Sequence, residues 1–574
     1  MSIIFGIVKP AGQQVAVEEL TKLASATHRY APDGTFVRAF DRVGMGFQPY
    51  HTHDCSRIES QPLTDIRGNL FVFDGRLDNR AELHRLLSID AQGTADSSIV
   101  AAAFERWGAK CFSRFVGDWA MALWSAREQV TYLARDHAGA RSLYFQITDR
   151  ELRWATYLET FFANGERYPV DEQFAARLLC SQPFLDRTPY GGILAVPAAH
   201  YLAIKDHMSA SRSHWNWIAK DRIRYKTDHE YEEHFVSLFS QSVERRTGPG
   251  APVVAELSGG MDSTAIVCMS DHLRKSEGKA ASDLLDTISY YDPSEPNWNE
   301  EPYFTATEMR RGKRGVHIGT SAAARTFTYP EPSLGITFPL WPGADCGTLK
   351  QEFELHQAIG GRGYRSIISG IGGDEVLGGV PTPLPELADL LVTLRLLKLA
   401  KQATAWSLAK RVPLLQMFYR TAFFAAALYR ATPPRAISTP PWVNRELAAL
   451  ACAQSGGFNH YDRFGARPSA LSNGQAWWAI QGSLPHLYPG MLTRYEYRYP
   501  YLDRDLVDYL YRIPREQLVR PGLRRSLMKR ALGSYLPPEV LTRRRKAYVV
   551  HGPLAELRAA REPLKNSSVF IPID

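Results

Sequence analysis

Long apolar runs are missing from this sequence. No uninterrupted apolar stretch reaches the roughly 18 residues needed to cross a bilayer, so no transmembrane segment is expected. The apolar run from Ser2 to Val8 has no positive charge before it and reads as a strand, not as a secretory signal. Cysteine is sparse. The six cysteines (Cys55, Cys111, Cys180, Cys268, Cys346 and Cys452) are scattered over 574 residues without a CxxC pair. That excludes a zinc-ribbon or disulfide framework and fits small apolar core residues in a reducing cytoplasm. Internal repeats and long low-complexity tracts are absent as well. With 45% apolar and 22% charged residues, disorder over most of the length is excluded.

What is present divides into two characters. At about 100–200 residues per domain, the length calls for roughly two to four domains. Residues 1 to 210 carry short apolar runs broken by Gly, Asp, Asn and Pro. Gly68 to Asn79 reads as strand, turn, strand. Asp118 to Asp136 reads as two strands joined by a charged turn, Ala126 to Gln129, and Ser97 to Trp107 as a helix. From about residue 230 strands alternate with helices: Tyr231 to Arg246 has helical spacing, and Leu284 to Tyr291 is a candidate strand. Ala251 to Leu273 and Arg365 to Glu375 each read as a strand ending in a Gly-rich loop. That alternation predicts a parallel α/β sheet.

Acidic residues are missing between Asp389 and Glu446, where Arg395, Lys398, Lys401, Lys410, Arg411, Arg420, Arg430, Arg435 and Arg445 stand among Leu, Ala, Trp and Phe. Two or three basic helices are expected, either as a solvated helical subdomain or as a docking face for a peptide, a partner protein or a membrane surface. The whole chain carries 68 basic and 60 acidic side chains, a net +8. This mild excess favours a polyanionic partner, for which ATP suffices. No nucleic-acid reading motif accompanies it.

The sharpest motif is Leu257-Ser258-Gly259-Gly260-Met261-Asp262-Ser263. It follows an apolar strand and opens a helix. Two glycines let the backbone approach a phosphate, and the helix start offers unpaired N–H groups to an anion. A carboxylate beside phosphates is repelled unless a cation lies between, so Asp262 reads as a Mg²⁺ ligand. The loop is not the GxxxxGK[ST] type. It resembles the pyrophosphate loop of ATP pyrophosphatases, which cleave ATP to AMP and pyrophosphate. In the second loop, Gly372 and Gly373 face phosphate, Asp374 supplies a second carboxylate to magnesium, and Glu375 anchors the loop or the helix start.

Both loops, together with Arg494 to Leu510 and Arg543 to Tyr548, resemble the asparagine synthetase family along the whole chain. The resemblance implies a glutaminase-like domain at 1–210, an αββα sandwich of Ntn-hydrolase type. It implies a synthetase domain of ATP-pyrophosphatase type at 211–574, a parallel sheet with helical insertions, the basic one at about 390–445. It also implies ATP and Mg²⁺, and a carboxylate activated as acyl-adenylate and then attacked by an amine. Lys546 matches the family lysine that reaches the adenylate, while Arg543, Arg544 and Arg545 are expected to be solvated. Glu496 matches the Glu that helps deprotonate the nucleophile in β-lactam synthetases; Arg498 and Asp503 are read as structural pins.

Departures from the family pattern narrow the substrate. Where asparagine synthetases carry Glu and β-lactam synthetases Tyr, this chain has Ile371, an apolar side chain compatible with a larger substrate. Working glutaminases of the family begin Met-Cys, but here Ser2 takes that place. The glutamine-holding segment reads Asp74 to Asn79, with Arg76 replacing a Glu; Asp96 alone keeps the family carboxylate. Glutamine hydrolysis is therefore not expected, and the amine must come from the substrate. The expected reaction is that of lasso-peptide cyclases, joining the N-terminal amine of a precursor core peptide to an Asp or Glu side chain. A leader-peptide protease and a leader-binding protein are candidate partners. Small-molecule asparagine or β-lactam synthesis and a non-catalytic scaffold are the alternatives.

Overall fold

The computed structural model describes residues 1–90, 93–180, 185–216, 221–248, 252–292, 299–319, 349–379, 382–429, 440–441, 443–452, 468–484 and 495–543. These form two compact units. One gathers Met1–Tyr231, Asp374–Pro485 and Leu502–Leu527; the other gathers Glu232–Gly373, His486–Tyr501 and Met528–Asp574.

The first unit opens with two antiparallel sheets. One contains β1 (Ile3–Val8), β2 (Phe36–Phe40), β3 (Val43–Gln48), β8 (Tyr144–Ile147), β9 (Leu152–Ala155) and β10 (Leu194–Ala195), in the order β10-β8-β9-β1-β3-β2. The other contains β4 (Leu63–Thr64), β5 (Leu70–Leu77), β6 (Gly117–Ser125), β7 (Val130–Arg135), β11 (His200–Lys205) and β12 (Met208–Ser213), in the order β12-β11-β7-β6-β5-β4. Strand β6 explains the layering. Its side chains alternate between two apolar environments, so the strand reads as one continuous apolar run. Ala120, Ala122 and Trp124 enter the core shared with Ile4, Met45 and Trp154 of the facing sheet. Trp119, Met121 and Leu123 pack with Leu83, Ile99 and Ala103 of the helices Arg80–Leu87 and Asp96–Trp107. On the far side, Gly44 of β3 lies against Leu20 of the helix Val17–Ser25. The result is the expected sandwich of two sheets between helices.

One local expectation fails. The segment expected as strand, turn, strand is a single strand: β5 runs unbroken and pairs residue by residue with β6, from Leu70 opposite Trp124 to Leu77 opposite Gly117. Gly75 has φ +148°, and a Cβ there would strike the Asp118 carbonyl oxygen. The glycine serves the close approach of two backbones and not a chain reversal.

Later segments complete this unit with the helices Leu384–Val392, Leu396–Lys410, Leu414–Tyr429, Pro468–Ser483 and Arg504–Arg512. Asp503 caps the last of these, accepting from the Asp505 and Leu506 amides, which fits its reading as a pin. His137 donates from Nε2 to the Leu502 carbonyl at 2.7 Å and stacks on Trp477. Asp389 receives Arg222 and Ser469, and Lys398 pairs with Glu516 at 2.6 Å.

The second unit is built on a sheet whose paired strands are all parallel: β13 (Val253–Glu256), β14 (Asp286–Tyr291), β15 (Val316–Gly319), β16 (Ser366–Ile368) and β17 (Glu496–Arg498). Their order is β15-β14-β13-β16-β17. The chain starts in the middle, builds β14 and β15 to one side, then returns to place β16 and β17 on the other. Val254, Ile288, Ile318, Leu355 and Ile367 fill the core on one face. Among the described residues no helix is long and apolar enough to cross a membrane.

Candidate functional site

In an open parallel sheet, ligands bind beyond the carboxyl ends of the strands where the order reverses. Here that reversal lies between β13 and β16. The two Gly-rich loops leave these two neighbouring strands.

The first loop is held from within. The Leu257 amide donates to the Ile288 carbonyl at 2.7 Å, and the Ser289 hydroxyl donates to the Leu257 carbonyl at 2.7 Å. Leu257 is thus a buried anchor. The Ser258 amide donates to the Ser263 hydroxyl at 3.1 Å, and the two hydroxyls lie 3.0 Å apart. Gly259 takes φ +67°, and a Cβ there would fall 2.6 Å from that of Tyr303, so only glycine fits. Gly260 then opens the helix Met261–Ser276 without a side-chain cap, which leaves the first helical N–H groups to a ligand.

The second loop closes against the first. A Cβ on Gly370 would lie 3.1 Å from the Ser263 amide, and one on Gly373 only 2.6 Å from Oδ1 of Asp262. Gly372 bends the loop at φ +94°. The Tyr501 hydroxyl donates to the Asp262 carbonyl at 3.0 Å while its ring stacks on Phe239. Beneath the loops the Ser369 hydroxyl donates to Glu256, whose carboxyl is pushed up by burial. Ile371 is half-buried. The Asp374 carboxylate carries the Arg525 guanidinium, and Glu375 is exposed.

Arg543 is not the solvated residue expected. Its guanidinium grips Glu300 at 2.5 and 3.1 Å, donates to the Gly259 carbonyl at 3.2 Å and covers the Tyr303 ring at 4.1 Å. Glu300 stands at the start of the helix Glu301–Arg311. One cation thus ties the first Gly-rich loop to that helix. Nothing local in the sequence signals it, because Arg543 is 243 residues from Glu300 and 284 from Gly259. Tyr501 escaped notice for the same reason. Lys546, Arg544 and Arg545 lie outside the described residues.

Glu496 begins β17, paired opposite Ser366. It is buried, and Arg498 Nε donates to its Oε1 at 2.8 Å; Arg498 also reaches the Arg246 carbonyl. The pin role expected of Arg498 agrees with this geometry. Glu496 therefore sits on the edge strand of the parallel sheet with its charge partnered by a guanidinium.

The residues expected to form the glutaminase-like site all have partners within the first unit. Arg76 donates to Asp78 at 2.6 and 3.2 Å and to Asp118 at 3.1 Å, within a buried cluster. Asp96 accepts from the Leu77 amide at 3.0 Å and bears the Arg80 guanidinium. Buried Asp74 has Arg141 at 3.9 Å. Ser2 accepts from the Tyr50 amide at 3.0 Å through its hydroxyl.

Comparison with known proteins matches residues 1–215 to the glutamine amidotransferase domain, and residues 234–302 with 351–568 to asparagine synthase. The chain belongs to the asparagine synthetase family. It is 22% identical over 557 residues to asparagine synthetase [glutamine-hydrolyzing] 3 of Bacillus subtilis, covering 92% of this chain and 84% of that one. It is 26% identical over 385 residues to amidase chry2 of Gibberella zeae, covering 64% and 56%. It is 24% identical over 318 residues to the carboxyethyl-arginine beta-lactam-synthase of Streptomyces clavuligerus, covering 54% and 55%. The chain spans little more than half the length of the fungal amidase.

The residues present fit the groups that the family implies. An uncapped helix start that follows two glycines suits a triphosphate. Asp262, a hard oxygen donor crowded against Gly373, suits Mg²⁺.

Proposed function

We propose that this protein forms amide bonds at the expense of ATP, releasing AMP and pyrophosphate. The observation that carries the reading is the Ser258–Ser263 loop at the reversal point of the parallel sheet, with the Asp262 carboxylate against Gly373. A substrate carboxylate oxygen attacks the α-phosphorus of ATP and pyrophosphate leaves. An amine nitrogen then attacks the acyl carbon, AMP leaves, and the amine gives up a proton.

The chain's own residues have defined parts. The Ser258, Ser263 and first-turn amide groups hold the leaving pyrophosphate, and Asp262 and Asp374 would hold Mg²⁺. When bound, that ion neutralises charge on the phosphates. Lys546 is assigned to the adenylate and the tetrahedral intermediate, and Glu496 to the attacking amine.

The substrate we propose is a peptide that cyclises on itself, as in lasso-peptide cyclases. Two features support this. Arg76, held by Asp78 and Asp118, stands where working glutaminases of the family carry a Glu, which argues against an ammonia source. Ile371 leaves an apolar wall where small-molecule enzymes of the family carry Glu or Tyr. The precursor core peptide is then the substrate, with a leader-peptide protease and a leader-binding protein as partners.

The test is to incubate the protein with Mg-ATP, aspartate and ammonia and to analyse AMP and asparagine. The expected result is bound Mg-ATP without asparagine, followed by loss of one water from a candidate precursor peptide with matching AMP release. Asparagine formation would overturn the peptide reading. Closure of a β-amino acid instead would favour the reaction named for the Streptomyces relative.

A further inference from the structure

The basic stretch forms two helices, Leu396–Lys410 and Leu414–Tyr429, joined by a short turn with Arg411 at φ +54°. Both pack on the helix Leu384–Val392. In the first helix Leu399, Ala403 and Trp406 are buried; in the second, Met417, Thr421 and Ala425. At 100° per residue, the row opposite the first set holds Leu397, Lys401 and Leu408. The row opposite the second holds Leu415, Tyr419 and Phe423.

Apart from Lys401, these outer rows are apolar. Leu397 is 91% exposed, Leu415 83%, Leu408 75%, Tyr419 70% and Phe423 65%. Leaving so many large apolar side chains in water on one pair of helices marks an interaction surface. Exposed Lys401, Lys410, Arg411 and Arg420 stand among them, and no acidic residue occurs from 390 to 445.

We propose that this helical pair lies on an anionic lipid surface, with the two apolar rows in the headgroup–acyl boundary and the cations on lipid phosphates. Charge selects the occupant. A second copy meeting this face would bring cation against cation, with no carboxylate in the stretch to relieve the repulsion. An anionic lipid surface supplies negative charge along its whole extent. Both helices pack on the same supporting helix and leave their outer rows exposed to such a surface. Leu, Phe and Tyr interleaved with Lys and Arg is the composition of interfacial helices, and the contact is peripheral. The proposal stands apart from the reaction: none of these residues belongs to the phosphate loops.

The test is co-sedimentation of the full chain with vesicles of phosphatidylcholine alone or with about 30% phosphatidylglycerol. Binding is expected only to the anionic vesicles, weakening as NaCl rises from about 50 to about 500 mM. Two triple variants, Leu397→Ser/Leu415→Ser/Phe423→Ser and Lys401→Glu/Lys410→Glu/Arg420→Glu, should each lower partitioning about tenfold or more. Both should keep the helical circular-dichroism signal and Mg-ATP binding. All these residues are exposed, so neither triple removes core packing. A full chain that stays in the supernatant, or binds both vesicle types alike, overturns the proposal. So does binding that both variants retain, or a dimer that either variant abolishes.

Discussion

Arg543 and Glu300 form a two-point ion pair across 243 residues of sequence, with the guanidinium also on the Gly259 carbonyl. The pair fixes the direction of the Gly259 peptide and hence of the amide that follows it into the helix start. Hydrogen bonds to charged groups contribute about 1.5–3 kcal/mol each. Arg543→Ala should therefore raise the KM for ATP by about tenfold or more, with a smaller change in kcat. Arg543→Lys should restore little, because an ammonium lacks the planar fork. Nucleotide titrations and steady-state kinetics, with the thermal midpoint as control, check this. Equal affinity in all three proteins would show that the pair is structural only.

Asp262 faces Gly373, where a methyl group would fall 2.6 Å from Oδ1. Asp262→Asn is expected to slow ATP cleavage about a hundredfold. Gly373→Ala should do the same by displacing the carboxylate. Pyrophosphate release measured over a magnesium series separates the two. Asn should lower the response at every magnesium concentration, whereas Ala should recover part of it when magnesium is raised.

Arg76 neutralises Asp78 and Asp118 in a buried cluster. Removing one member of such a group leaves uncompensated charge and costs about 3–5 kcal/mol. Arg76→Met should lower the urea midpoint accordingly, and adding Asp118→Asn should recover part of the loss. A single variant as stable as the parent would show that the cluster contributes nothing net.

Stability should respond to pH in two opposed ways. Burial, reinforced by the charge of Glu516, pushes the Glu386 carboxyl up to about 7. Between the unfolded value of about 4.5 and that value the folded chain holds the extra proton. Its stabilising contribution is full below the lower figure and lost as pH rises through about 7. Glu386→Gln should therefore raise the thermal midpoint more at about pH 8 than at about pH 5. Burial also holds His137 down at about 4 and His214 at about 3. The unfolded chain takes up those protons first, so this contribution is present above about 6.5 and lost as the solution is acidified. His137→Gln should flatten the acid limb; a parallel limb would refute the assignment.

Legibility in the sequence followed distance along the chain. Val253–Glu256 and the helix from Met261 were readable because a strand, two glycines and a helical pattern lie within one window. The Ala126–Gln129 turn was readable for the same reason. The strand, turn, strand reading of Gly68–Asn79 differs from the unbroken β5 because the role of Gly75 is set by the Asp118 backbone on another strand. The Arg543 clamp left no local mark, since both of its partners come from far upstream. Of the candidate site, the loops were legible and the groups that brace them were not.

The first unit takes its last segment, Leu502–Leu527, from near the end of the chain, where the Leu502 carbonyl receives His137 from 365 residues earlier. During synthesis, the N-terminal sandwich emerges long before the partner of its buried His137 exists. Neither unit is complete until the ribosome has passed residue 527. Nascent chains stalled upstream of that point should remain protease-sensitive around His137 and Trp477, which ties maturation of the protein to completed translation.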